Sequence, residues 1–249
     1  MNDGIRVTVW NEGKHEQHNP AAKEVYPNGM GHQLARSLEG RPGIASARAV
    51  QLEDPGQGLT DEILESTDVM TWWGHMAHDE VTDENAEKVV RRVVDGGMGL
   101  IVLHSGHMSK PFRALLGTGC MLKWRVWNDE GERERIWTVD PAHPIAEGVP
   151  ECLVLDKAEM YGEHFDIPQP DQQVFLSWFQ GGEVFRSGCC WHRGAGKLFY
   201  FRPGHETLPI YYNEQILQVV YNGVRWARPT RVAGGLRRNQ HPEPPEPLG

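Results

Sequence analysis

The chain of 249 residues is 39% hydrophobic and 24% charged, an ordinary globular balance, and its length lets roughly 70–75% of the unfolded surface be buried on folding. A net charge of −9 leaves no basic stripe for a phosphate backbone, so nucleic acid is not an expected partner. No apolar run reaches the roughly eighteen residues a membrane span needs, the N-terminus has no signal-peptide pattern, and the four cysteines (Cys120, Cys152, Cys189, Cys190) follow neither zinc nor disulfide spacing. A cytoplasmic, reducing setting is expected, with no membrane partner. The outlying count is histidine, at twelve.

Ile5-Arg-Val-Thr-Val-Trp10 alternates with β-branched residues and breaks into Asn11, Glu12 and Gly13, which predicts a first strand running into a loop. A helix is predicted over 30–38, with Leu34 and Leu38 one turn apart and Gly40 and Pro42 to stop it. A strand over 47–52 follows, then the turn cluster at 54–58 and a short helix capped by Thr60 that runs to Glu65. Residues 69–73 form the third strand. Thr82 caps a helix that buries Val89, Val90, Val93 and Val94 and ends at Gly96-Gly97. The wholly apolar run 100–103 is what a central parallel strand covered on both faces requires.

From residue 120 to 202 only strand-like pieces occur, at 134–140, 152–155, 174–178, 183–186 and 197–202, and they predict an antiparallel extension. A last helix over 214–226 carries Ile216, Val219, Val220 and Val224 on one face. The expected fold is α/β: a flavodoxin-like, doubly wound, mostly parallel sheet with helices on both faces, plus the antiparallel extension. It occupies residues 1–228 as one domain, and the Pro-rich segment 229–249 is expected to be a loose tail.

In such a sheet ligands bind beyond the carboxyl ends of the strands, and seven histidines fall there. His15 and His18 follow the first strand, His75 and His78 the third, His104 and His107 the fourth, and His205 the strand ending at Arg202. A single loop histidine is usually just a solvated side chain, so the convergence carries the argument. His143, in a turn before a strand, reads as structural, and His32 near a helix start, His192 in a turn and His241 in the tail are assigned no chemistry.

Leu103-His-Ser-Gly-His107 has the strand-to-helix outline of a nucleophile elbow, with His104 at the position a nucleophile would take. No cysteine stands nearby, and Ser105 lacks the glycines of G-x-S-x-G, which leaves a structural hydroxyl ahead of a serine hydrolase. Histidine pairs three residues apart suit a divalent metal, zinc by default, although no H-E-x-x-H helix supports it. No nucleotide cofactor is expected. Glu159-Met-Tyr-Gly-Glu-His164 either delivers a carboxylate or imidazole to the rim or is a polar turn. His205-Glu206 has the histidine–carboxylate arrangement that orients an imidazole as base. Trp124 and Trp127, beside Lys123 and Arg125, either floor a sugar site or form a packing cluster.

Taken in order, Val9-Trp-Asn-Glu12 with His15-Glu16, Trp73-Gly-His75, Leu103-His-Ser-Gly-His107, His143-Pro-Ile-Ala146, Glu159-Met-Tyr161 and Pro203-Gly-His-Glu206 resemble the ThuA-like trehalose utilisation proteins. The resemblance spans about residues 5–228 and implies a fold similar to the class I glutamine amidotransferases. It places His104 where those enzymes keep a cysteine and His205 with Glu206 where they keep histidine and glutamate, so amidotransferase chemistry is not expected. It implies a part in disaccharide catabolism, on trehalose or a 3-keto derivative. The expected site has His104, His205, Glu206 and Glu163 as catalytic groups, Glu12, Trp73, Ser105, Tyr161 and Arg202 as substrate contacts, and His15, His75 and His107 as metal ligands. The alternatives are a sugar-binding or regulatory module without catalysis and a hydrolase using Ser105. Exposed aromatics and the apolar last helix also allow a homo-oligomer.

Overall fold

The computed structural model describes residues 4–230 together with 244, 246 and 247. The expected loose tail beyond residue 230, with His241 in it, lies otherwise outside the described residues. Strand β1 (Ile5–Asn11) is buried on both faces apart from Arg6, and short helices α1 (His15–His18) and α2 (Pro20–Val25) follow it. The sequence reading placed neither, although the second carries its own start signal: Asn19 accepts from Ala21 N and Pro20 occupies the first helical position, where no N–H is needed. Helix α3 (Met30–Leu38) has the predicted bounds and leads to β2 (Ile44–Gln51). Thr60 accepts from Ile63 N to start α4 (Asp61–Glu65), and β3 (Val69–Trp73) is wholly buried. Thr82 caps α5 (Asp83–Val94) in the same way, and the buried β4 (Gly99–Leu103) leads to α6 (Lys110–Leu116), a helix the sequence pattern did not place.

Strand β5 (Lys123–Arg125) pairs with β8 (Met160–Gly162) as a separate two-stranded ribbon. Strands β6 (Glu132–Thr138), β7 (Cys152–Ala158), β9 (Gln172–Phe179), β10 (Val184–Arg193) and β11 (Gly196–Phe201) join the main sheet, and α7 (Glu214–Ala227) closes the fold. The nine strands are ordered β2-β1-β3-β4-β11-β10-β9-β6-β7. Strands β2, β1, β3, β4 and β11 are parallel, while β10, β9, β6 and β7 pair antiparallel. Two expectations change. The segment 197–202 is not part of the antiparallel extension: after the turn at Gly194 it returns beside β4 as the fifth parallel strand. His192 lies in β10 rather than in a turn, and its side chain is exposed.

Helices α3 and α7 pack together over β1, β2, β4 and β11, while α5 with α4 and α6 forms the other layer. The arrangement is doubly wound, and the strand order reverses between β1 and β3, the point beyond whose carboxyl ends open α/β sheets bind ligands. His143 is buried and caps a short turn by accepting from Ile145 N, a structural role as expected.

Candidate functional site

The register of the parallel strands builds the site. Asn11 pairs with Trp73, Trp73 with Leu103, and Leu103 with Phe201, so the four strands stop along one line. The next residues, Glu12, Gly74, His104 and Arg202, form the rim.

Glu12 supports the rim. Its buried carboxylate accepts from three successive backbone groups of the loop after β3: His75 N at 2.7 Å, Met76 N at 3.0 Å and Ala77 N at 3.0 Å. Expected as a substrate contact, Glu12 is instead occupied in holding His75 in place.

His15 and His75 meet at the rim, with His15 Nε2 2.8 Å from His75 Nδ1. Glu206 Oε1 lies 3.4 Å from His15 Nδ1, and Glu206 Oε2 is buried with no hydrogen-bond partner among the described residues. One donor atom from each of His15, His75 and Glu206 falls within 4.8 Å of the others. Burial holds His15 below the ordinary histidine range, against the pull of Glu206. Burial pushes Glu206 up, but His205, His15 and His75 outweigh it and hold the carboxyl below its usual range. Two imidazoles and a carboxylate within one another's reach are donor types that a divalent cation takes.

His104 is wholly buried between Trp73 and Tyr161, with ring centroids 6.4 and 5.0 Å away. Its backbone lies in the left-handed region at φ 51°, an uncommon conformation for a residue with a Cβ and one that functional turns hold in place. The loop after β11 comes so close that a Cβ on Gly204 would stand 2.9 Å from His104 Cβ and 2.4 Å from Tyr211 Oη, which requires glycine there. His104 Nδ1 donates to Arg202 O at 3.0 Å, and its Nε2 lies 3.0 Å from Glu159 Oε2 and 3.5 Å from Tyr161 Oη. Burial pushes His104 far below the ordinary histidine range and Glu159 above the ordinary carboxylate range. Glu159 Oε2 is off the hydrogen-bonding direction and has no aligned partner among the described residues.

His205 sits at the edge of this group, 5.9 Å from the His104 ring, and its Nδ1 accepts from Thr207 N at 3.3 Å. With Nδ1 accepting, the N–H of the His205 ring is at Nε2.

The other expected residues divide. Trp73 lies in the rim and donates from Nε1 to Gly204 O, and Tyr161 faces His104. Ser105 donates to Gly74 O at 2.8 Å, which ties the loops after β3 and β4. Arg202 is 1% exposed, donates to Glu159 O at 2.7 Å and pairs with the buried Glu134, which also accepts from Ser177. It ties the extension to the parallel half from beneath the site. His107 donates to Cys120 O at 2.7 Å, is pushed by burial down to about 3, and stands apart from the His15–His75–Glu206 cluster. His18 is exposed on α1, and His164 is exposed beyond β8. Glu163 turns to Arg186, accepting at 2.9 Å from both Nε and Nη2, and to Phe165 N at 2.7 Å. The carboxylate that segment delivers is Glu159. Glu159 lies in the single-residue break between β7 and β8, outside either strand, so no strand alternation marked it in the sequence.

The chain matches the ThuA family, described as trehalose utilisation, over residues 6–227. It belongs to that family. This ThuA chain is also similar in structure to a ThuA-like protein from Parabacteroides merdae (15% identity, TM-score 0.66, covering 92% of this chain and 93% of the other). A ThuA-like protein from Bacteroides uniformis is similar at 13% identity and TM-score 0.61, covering 89% and 90%. A cytoplasmic protein from Salmonella typhimurium shares the fold at 13% identity and TM-score 0.55, covering 91% and 100%. At these identities the likeness is one of fold. No curated protein matches the chain in sequence. Among the described residues no helix is long and apolar enough to cross a membrane.

Proposed function

We propose that this ThuA-family protein is a cytoplasmic enzyme of disaccharide catabolism, acting on trehalose or a 3-keto derivative at the rim built by His15, His75, His205 and Glu206. The observation that carries the reading is the meeting of His15, His75 and Glu206 where the strand order reverses, with His205 beside Glu206 and with His75 and His205 half-buried and therefore within reach of a ligand.

The His205 Nε2–H is a donor for a sugar carbonyl or a leaving oxygen, so this residue acts as a hydrogen-bond acid in place of the base expected from its sequence context. On the other side, His75 Nε2 can take a proton from a sugar hydroxyl. The resulting charge is shared through the 2.8 Å contact to His15 and balanced by Glu206. His104, Tyr161 and Glu159 lie behind these groups, and Arg202 O and the Arg202 guanidinium hold His104 and the Glu159 backbone in place. The donor set of two imidazoles and a carboxylate, with Glu206 Oε2 buried and unpartnered among the described residues, fits a divalent cation such as zinc. Held by these three residues, such an ion would polarise a sugar carbonyl and acidify a water. Metal analysis of protein purified without added ions tests this part: stoichiometric zinc, lost in His75→Ala, supports it, and metal-free active protein refutes it.

The sealed burial of His104 at the elbow favours a non-catalytic sugar-binding module as the second reading. Turnover of 3-keto-trehalose decides between them. His75→Ala and His205→Ala should each lower kcat by about a hundredfold or more, the usual worth of proton transfer by a positioned side chain. Unchanged rates refute the enzyme reading, and calorimetric sugar affinity without turnover establishes the binding module.

A further inference from the structure

Strand β5 pairs antiparallel with β8, with Trp124 directly opposite Tyr161 and Arg125 opposite Met160. Directly opposed residues share one face of the ribbon, with Cβ atoms about 4.5–5.5 Å apart. Tyr161 fixes which face this is, because its ring stacks on His104 and its hydroxyl lies 3.5 Å from His104 Nε2. Glu159, two residues before Tyr161, points at the same imidazole. Trp124 therefore shares the ribbon face that carries Tyr161, and there it is 66% exposed. The ribbon's other face is anchored: Arg125 donates to Glu132 at 2.8 and 3.0 Å and to Glu183 at 2.8 Å. The backbone beneath Trp124 is fixed by the β5–β8 pairing and by the neighbouring Arg125 ion pairs, so the exposed indole stands on a preformed ribbon.

We propose that Trp124 is a specificity-determining residue that stacks on the second, non-reacting ring of a disaccharide while the first ring lies against His75 and His205. This rests on the sugar-processing reading above and sharpens it from sugar to disaccharide. An indole offers a flat apolar face to the C–H groups of a pyranose and a polar edge to its hydroxyls. Trp127 is the internal comparison. Also exposed, it lines a separate surface cavity of about 390 Å³ with Arg125, Glu132 and Gln180, on the anchored side of the ribbon.

Steady-state kinetics on 3-keto-trehalose and 3-keto-glucose test the proposal. Trp124→Ala should lower kcat/KM for the disaccharide about tenfold, mainly through KM, and leave the monosaccharide within about twofold, a loss equivalent to about 1.4 kcal/mol. Trp124→Phe should retain most of the disaccharide preference, and Trp127→Ala should change neither substrate. Equal losses on both sugars, no loss on the disaccharide, or a loss with Trp127→Ala instead overturns the proposal. If wild-type protein turns over neither sugar, the enzyme reading fails, and calorimetry with trehalose and glucose reads the same contrast. A trehalose preference abolished by Trp124→Ala sustains the subsite, and its absence in wild type refutes it.

Discussion

Replacing Glu12 by glutamine separates a structural carboxylate from a substrate contact. The carboxylate accepts two backbone N–H groups on Oε2 and one on Oε1, all at 2.7–3.0 Å and away from water. Hydrogen bonds to a charged group contribute about 1.5–3 kcal/mol each and neutral ones about 0.5–1.5 kcal/mol. Glutamine in its best orientation keeps two bonds in their weaker form, a loss of about 2 kcal/mol, and turns its NH2 toward Met76 N. That orphaned donor costs about 1–3 kcal/mol more, for a total of roughly 3–5 kcal/mol. For a chain of this size the thermal midpoint should fall by about 6–20 °C. Urea unfolding followed by tryptophan fluorescence gives the free energy, and kcat falls with it because His75 loses its support. A Glu12→Gln protein within about 1 kcal/mol of wild type that loses only substrate affinity would refute the assignment.

The remaining predictions concern groups around the site. Glu163→Gln should keep kcat within about threefold while losing about 1–3 kcal/mol of stability, since Glu163 serves Arg186 and Phe165 N; a hundredfold loss of kcat would return it to the catalytic set. Burial holds His107 down at about 3 and His78 at about 4, against 6.5 when exposed. The unfolded chain therefore binds the extra protons below pH 6.5, so stability is fully present above that pH and falls as pH drops toward these values. The thermal midpoint should decline on acidification from pH 6.5, less steeply in His107→Gln; a flat midpoint down to pH 5 would contradict this. Cys120, Cys189 and Cys190 are buried with their thiols pushed up, and Cys152 is only half-buried. A thiol reagent should label Cys152 first in the native protein and all four in guanidinium, and rapid native labelling of Cys189 would show the core to be open.

The parallel half was legible because its strands are short apolar runs bounded by capped helices. Residues 69–73 and 30–38 have the predicted bounds. The rim followed from them, since the residue after each strand could be named in advance. Helix α6 was missed although Ser109, Pro111 and the left-handed Gly117 mark its ends. Strand β10 was read too short for a physical reason: its register against β9 shifts around Gly188, and Cys189, Cys190 and Trp191 are all buried, so no alternation survives. That β11 runs parallel to β4 is a non-local fact that a local pattern does not encode. Among the site residues, His15 and His18 are equivalent in sequence, and only the direction of the single turn of α1 separates the buried one from the exposed one. Glu206 joined His15 and His75 in place of His107 because the loop after β11 folds back over the rim at Gly204.

The most direct test of the central claim is a crystal structure of the inactive His205→Ala protein with 3-keto-trehalose bound. The account predicts the keto ring within hydrogen-bond reach of His75, at the carboxyl ends of β1 and β3, with the second ring against Trp124. Sugar bound elsewhere, such as in the cavity between Arg125 and Trp127, with the His15–His75–Glu206 cluster untouched, would contradict it.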